Sequence, residues 1–292
     1  MIIYNSKEWW KSVLYMHKTD TFRKLIPYII AIGLFSWGVA YYELEYIKLS
    51  EKSWVKNIMI VHNLLGFVLS ILLVFRTNSA YDRWWEARKQ WGALTNTSRN
   101  LAIQFNAYLP EEDVKNRTFF KKTIPLYSRV LSSFLKSDYT TFMLDEINEH
   151  KDIDLKAKHG PNQVANLIIK HVNKIYKENT LNDFQFSNLN NNLNELTNIC
   201  GACERIKNTP IPYSYSSFIK KFIVIYVATL PIGFVFSIGY FVAVAVPFIF
   251  YVLASLELIA ESIEDPFGND SDSLPIEKIA ENINTHVNEI IE

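Results

Sequence analysis

Eighteen residues without a charge, IMIVHNLLGFVLSILLVF (58–75), run with no linker into RTNSAYDRWWEARKQWG (76–92), where arginine, tryptophan and carboxylate crowd together. At ~1.5 Å per residue the first part spans roughly 27 Å, close to a bilayer hydrocarbon core of about 30 Å. Within it Phe67, Ile71 and Phe75 recur at i, i+4 and i+8 and so share one side of a helix. A membrane helix with a bulky apolar stripe, continued into a polar helix, suits the lining of a pore. The same stripe also suits packing against a neighbouring helix or lipid.

The rest of the chain supports an all-α membrane protein. Three charge-free runs occur, Leu25 to Tyr42, Ile58 to Phe75 and Phe222 to Leu256. The last would be ~52 Å long as one straight helix, which is too long for one crossing. Ser237, Gly239 and Tyr240 near its middle predict a helical hairpin, so four membrane helices are expected. The expected organisation is an N-terminal segment with membrane helices 1 and 2 (1–75), a cytoplasmic helical domain (76–221), membrane helices 3 and 4 (222–256) and a cytoplasmic C-terminal segment (257–292). A soluble bundle is the alternative, but buried helices of soluble domains more often carry about 10 to 14 apolar residues in a row. The first 24 residues hold no apolar core and no small-residue cleavage site of the secretory type.

Lysine and arginine gather before the first run (Lys7, Lys11, Lys18, Arg23, Lys24), after the second (Arg76, Arg83, Arg88, Lys89) and before the third (Lys220, Lys221). The loop from Glu43 to Asn57 has fewer, Lys48, Lys52 and Lys56, against Glu43, Glu45 and Glu51. Both termini and residues 76–221 are therefore expected in the cytoplasm. With 30 basic and 30 acidic residues the chain lacks the excess of a nucleic-acid binder, so no nucleic-acid partner is expected.

The polar middle reads as helices. Val164, Leu167, Ile168, His171, Val172 and Ile175 follow helical spacing after Gly160 and Pro161. Phe186, Leu189, Leu193, Leu196, Cys200 and Cys203 alternate steps of three and four, a packing seam from which Phe184 points about 200° away. The stretch NLNNNLN (188–194) keeps Leu189 and Leu193 and reads as a polar helix face. After Pro275, Ile276, Ile279, Ile283, Val287 and Ile290 mark a last amphipathic helix that packs rather than enters the membrane.

Chemical motifs are sparse. The CGAC pair, Cys200 and Cys203, has redox spacing but continues a helical seam, which favours a structural role. As a zinc site it lacks a second cysteine pair. His62 is either a pore-mouth group or a polar residue near the interface. Glu257, Glu261, Glu264 and Asp265 offer hard oxygen ligands of the kind calcium takes, but they better suit a solvated face, or pairing with Arg83 and Arg88 across a subunit contact. No P-loop, GxSxG, HExxH or GxGxxG is present, so catalysis has no sequence support and no catalytic residue is named.

Three separated motifs, FRTNSAYDRWWEARKQWG (75–92), CERIKNTPIPYSYS (203–216) and IEDPFG (263–268), resemble those of bacterial bestrophins, and the resemblance covers nearly the whole chain in order. It implies a homopentamer around one pore in the bacterial inner membrane, embedded in lipid and passing small monovalent ions. Bestrophins are mostly anion channels, while some bacterial relatives prefer cations. The resemblance places the family's hydrophobic neck at Phe67, Ile71 and Phe75, and its cytosolic constriction at Phe184. Asn63 and Ser70, one turn from the neck, join His62 as residues of a pore mouth. Animal members clasp calcium with consecutive acidic residues after PFG. Here those positions are Asn269, Asp270, Ser271, Asp272 and Ser273, which leaves Asp270 and Asp272 as weak metal candidates. Neither calcium gating nor any other cofactor is expected. The competing reading is a membrane-anchored scaffold or receptor whose pore is vestigial.

Overall fold

The computed structural model describes residues 20–47, 58–136 and 159–291. Among them there are helices and no strands. The basic residues Lys7, Lys11 and Lys18 and the loop residues Lys48, Glu51, Lys52 and Lys56, on which the orientation partly rests, lie outside the described residues.

The helices are α1 (Asp20–Tyr41), continued by a π-helical turn (Tyr42–Ile47), α2 (Ile58–Tyr108), α3 (Val114–Leu135), α4 (Gly160–Lys177), α5 (Asp183–Asn208), α6 (Tyr213–Ile238), α7 (Val242–Glu264) and α8 (Ile276–Ile290). No proline interrupts α2, and Pro110 stands just past its end. Its 51 residues come to roughly 77 Å, more than twice the thickness of a hydrocarbon core, so the helix outruns any membrane its first half crosses. The break expected near Ser237 is a 3₁₀ turn, Gly239–Phe241, entered through Gly239 at φ +55°. A left-handed φ of that kind suits glycine, which has no Cβ to clash with the preceding carbonyl.

The chain divides into two compact units. One is built from the described residues up to Asp82 together with Pro210–Glu264. In it α1 packs against α7 and α6, and α6 against α7, around Leu25, Leu69, Leu73, Ile223, Leu230, Val246 and Phe250. Its outer surface is apolar: Leu34, Trp37, Leu64, Phe67, Val224, Val244 and Phe248 are all exposed. Water penalises such a surface and lipid does not. Thr21–Ile47, Ile58–Tyr108 and Tyr213–Glu264 are each long and apolar enough to cross a membrane.

The other unit is built from the described residues of Arg83–Thr209 and those from Asp265 onward. Here the second half of α2 joins α3, α4, α5 and α8 around a conventional core. Phe105 and Phe120 stack with centroids 3.6 Å apart, and Trp91, Tyr127, Leu196, Ile168 and Ile283 fill the space about them. The helix ends are capped by side chains. Asp113 accepts the Asn116 amide of α3, and Asn182 forms a reciprocal capping box with Gln185 at α5. The seam read from the sequence is buried from Leu189 to Cys203, while Phe186 stacks on Tyr176 at 4.3 Å. In α8 the buried residues are Ile276, Ala280, Ile283 and Val287, so this helix packs into the core as its periodicity predicts.

Candidate functional site

On the first half of α2, His62, Leu69, Leu73 and Arg76 turn inward and are buried. At ~100° per residue, Phe67, Ile71 and Phe75 centre on a direction about 180° from that buried seam. They are 64%, 40% and 61% exposed in the single chain. Three large apolar side chains thus project from the outer side of one rigid helix, at spacing that puts them one turn apart.

The buried seam fixes how this stripe is presented. Tyr215 donates its hydroxyl to the Leu72 carbonyl at 3.2 Å. At Gly66, beside Phe67, an added Cβ would lie 2.6 Å from the Tyr226 hydroxyl, so the Tyr226 side chain of α6 would have to shift to admit it. Asn63 and Ser70 are exposed at the border of the stripe, and Ser70 returns its hydroxyl to the Gly66 carbonyl at 2.8 Å. His62 is placed otherwise. Its ring is 4% exposed, with Nδ1 3.0 Å from the Ile58 carbonyl and Nε2 2.9 Å from the Thr229 hydroxyl. A ring held by its own helix at Nδ1 and by α6 at Nε2 links two helices.

Immediately after Phe75 comes a buried ionic cluster. Arg76 is fully buried, with Nη2 2.6 Å from Glu264 Oε2 and Nε 3.4 Å from Glu257. Ser216 donates to Glu257 at 3.3 Å, and the Ile211 amide donates to Glu264 at 3.0 Å. Glu257 and Glu264 thus meet Arg76 within the chain, whereas the pairing with Arg83 and Arg88 expected from the sequence was across a subunit contact. Within the chain Arg83 donates instead to the Ile206 and Thr209 carbonyls, and Lys220 takes Glu261 at 2.9 Å. The reason is register: Arg76 lies on the same inward face as Leu69 and Leu73, where a charge needs an anion within reach. A lone arginine directly at the end of a charge-free run is the available signal, although by position alone it is one more orientation charge.

In the second unit Phe184 is 73% exposed near the start of α5, directed away from the seam. Cys200 and Cys203 are free and buried, and burial pushes both thiols up to about 12. Reactive CxxC pairs need a lowered thiol pKa, so this environment suits a structural role. Asp270 and Asp272 are exposed, and the Asp272 carbonyl receives the Trp84 indole N–H at 2.9 Å. Among the described residues, neither joins a group of three metal-type donors.

The family model described as Bacterial/Fungal Bestrophin protein matches residues 1–289. A voltage-dependent anion channel-forming protein of Nostoc sp. is 33% identical over 230 residues, covering 77% of this chain and 75% of its own length. One of the same description from Escherichia coli is 28% identical over 281 residues, 96% of this chain and 90% of that protein. Among solved structures, a point variant of a bacterial bestrophin homolog from Klebsiella pneumoniae matches with TM-score 0.80 at 25% identity, over 92% of this chain and 99% of that one.

Proposed function

The chain belongs to the bacterial and fungal bestrophin family, and from that membership we propose that it forms an anion channel, a homopentamer whose pore is lined by α2. The observation that carries the reading is the exposed stripe of Phe67, Ile71 and Phe75, set opposite the buried face of the same helix. Five copies of α2 turned inward bring fifteen apolar side chains into a collar ~12 Å long. A collar of that kind gates by dewetting: narrow, it expels water and blocks ions; slightly wider, it fills and conducts. Asn63 and Ser70 border the collar and meet ions or water at its mouth. His62 contributes by holding α2 on α6 through Thr229. Phe184, exposed in the second unit, forms a second ring on the cytoplasmic side.

Each subunit crosses the inner membrane four times, through α1, the first half of α2, α6 and α7, with both termini in the cytoplasm. The names of the Nostoc and E. coli relatives support anion selectivity, and aromatic ring edges, which carry partial positive charge, tolerate an anion at close range. Ions pass down their gradient without reaction chemistry, so the protein is not an enzyme.

The test is flux through purified protein in liposomes, followed by reversal potentials in a bilayer under a salt gradient. A shift toward the chloride equilibrium potential is expected. A shift toward the cation potential overturns the selectivity, and absence of flux favours a scaffold or receptor with a vestigial pore. Mass measurement in detergent is expected to give five chains.

A further inference from the structure

We propose that His159, Cys200 and Glu204 form a binding site for a zinc-like divalent transition-metal ion, joining the start of α4 to the side of α5. The ligand atoms of the three residues all lie within 4.8 Å of one another. Cys200 and Glu204 stand four residues apart and so share one face of α5. His159 arrives from a different element, as the cap residue that precedes Gly160 and Pro161. The Phe134 ring packs on it at 4.5 Å and limits its orientations. Its Nε2 lies 2.5 Å from Glu204 Oε1. Thiolate, imidazole and carboxylate together are the donor set of zinc-class ions, whereas calcium and magnesium take oxygen alone.

The surroundings suit a bound ion. Cys200 forms a buried floor, while His159 and Glu204 are partly exposed and make a rim through which an ion and a fourth, water ligand can enter. Tyr127, buried in the same core cluster as Cys200, donates its hydroxyl to the Leu196 carbonyl at 2.6 Å. His159 Nδ1 accepts the Asn162 amide at 3.2 Å, so the ring proton sits on Nε2 and is given to Glu204. Binding moves that proton to Nδ1, releases the Asn162 amide to water, and expels the Cys200 thiol proton as the metal–sulfur bond forms. One helix cap is lost and three metal bonds are gained, a favourable exchange because a cap is a weak interaction. Cys203 is not one of the three donors, so the site is not the CGAC pair.

The proposal is independent of ion conduction. Full-length protein in detergent, stripped with chelator and loaded with Co²⁺, is expected to bind about one ion per chain and to show a sulfur-to-cobalt charge-transfer band that Zn²⁺ removes. Cys200→Ser is expected to abolish the band, and Cys203→Ser to keep it. His159→Ala and Glu204→Gln, both at the partly exposed rim, are expected to weaken Zn²⁺ binding roughly tenfold or more. No cobalt band in the wild type, or a band that depends on Cys203 and not on Cys200, overturns the site. If Cys200→Ser does not fold, unchanged Zn²⁺ affinity in both rim variants overturns it equally.

Discussion

Arg76 Nη2 lies 2.6 Å from Glu264 Oε2, across 188 residues of sequence and one residue beyond the last aromatic of the proposed collar. The guanidinium is fully buried and also faces Glu257, itself almost completely buried. A buried pair broken on one side leaves an uncompensated charge, a loss of about 3–5 kcal/mol. Arg76→Met is therefore expected to lower the thermal midpoint in detergent sharply. Adding Glu257→Gln is expected to recover part of the loss. Equal midpoints for wild type and Arg76→Met would show that the cluster contributes nothing.

Ile71 occupies the middle of the Phe67, Ile71, Phe75 stripe. Its replacement by alanine removes three methyl or methylene carbons at every subunit, widening and wetting the collar. Single-channel recording of Ile71→Ala is expected to show higher open probability and conductance than wild type. Unchanged values would place the gate elsewhere.

Calcium is expected to leave the channel indifferent. Only Asp270 and Asp272 occupy the acidic positions after Gly268, and both are exposed. Two carboxylates in that run offer fewer hard oxygen ligands than the consecutive acidic residues of the animal members. A steep, reversible response of open probability to micromolar calcium would contradict this.

Burial lifts the thiols of Cys200 and Cys203 from 9.0 to about 12 in the folded protein. Both are raised, so the stability they contribute is complete below pH 9.0 and is lost as pH climbs toward 12. Tyr127, raised above its ordinary 10.0 chiefly by burial, acts in the same direction. A pH titration of thermal stability is expected to fall across that alkaline window. At pH 8, alkylation of the folded, metal-free protein is expected to run ~1000-fold slower than after unfolding, since only thiolate reacts. Fast labelling of native protein would show that the seam opens.

Phe120 stacks on Phe105 and is fully buried among α2, α3 and α4. Phe120→Ala opens a cavity in this core and is expected to cost about 3–5 kcal/mol. Hydrogen exchange is the suitable measurement, with loss of protection expected in α3, α4 and the second half of α2.

Much of this protein is local in origin and therefore legible from the chain itself. Long charge-free runs name the membrane helices because the cost of charge in lipid is paid residue by residue. Steps of three and four place Leu189, Leu193, Leu196 and Cys200 on one face, since a helix repeats every ~3.6 residues. Gly239 breaks the last run because it tolerates the positive φ that the turn requires. The direction of Phe184 away from its seam follows from the same geometry.

What periodicity cannot supply is the partner. Arg76 reads in the sequence as one more basic residue past a membrane run. Only packing brings Glu257 and Glu264 to it from 181 and 188 residues away. His62 admits two readings in the sequence, and neither names Thr229, which lies 2.9 Å from its ring and 167 positions later. His159 lies outside every motif, yet it meets Cys200 and Glu204 because α4 begins against the side of α5. The physical reason is common to all three. A helix's own face is fixed by hydrogen bonds within one turn, whereas the charge or ligand that meets it is fixed by burial of distant apolar surface. That choice is made by the tertiary structure.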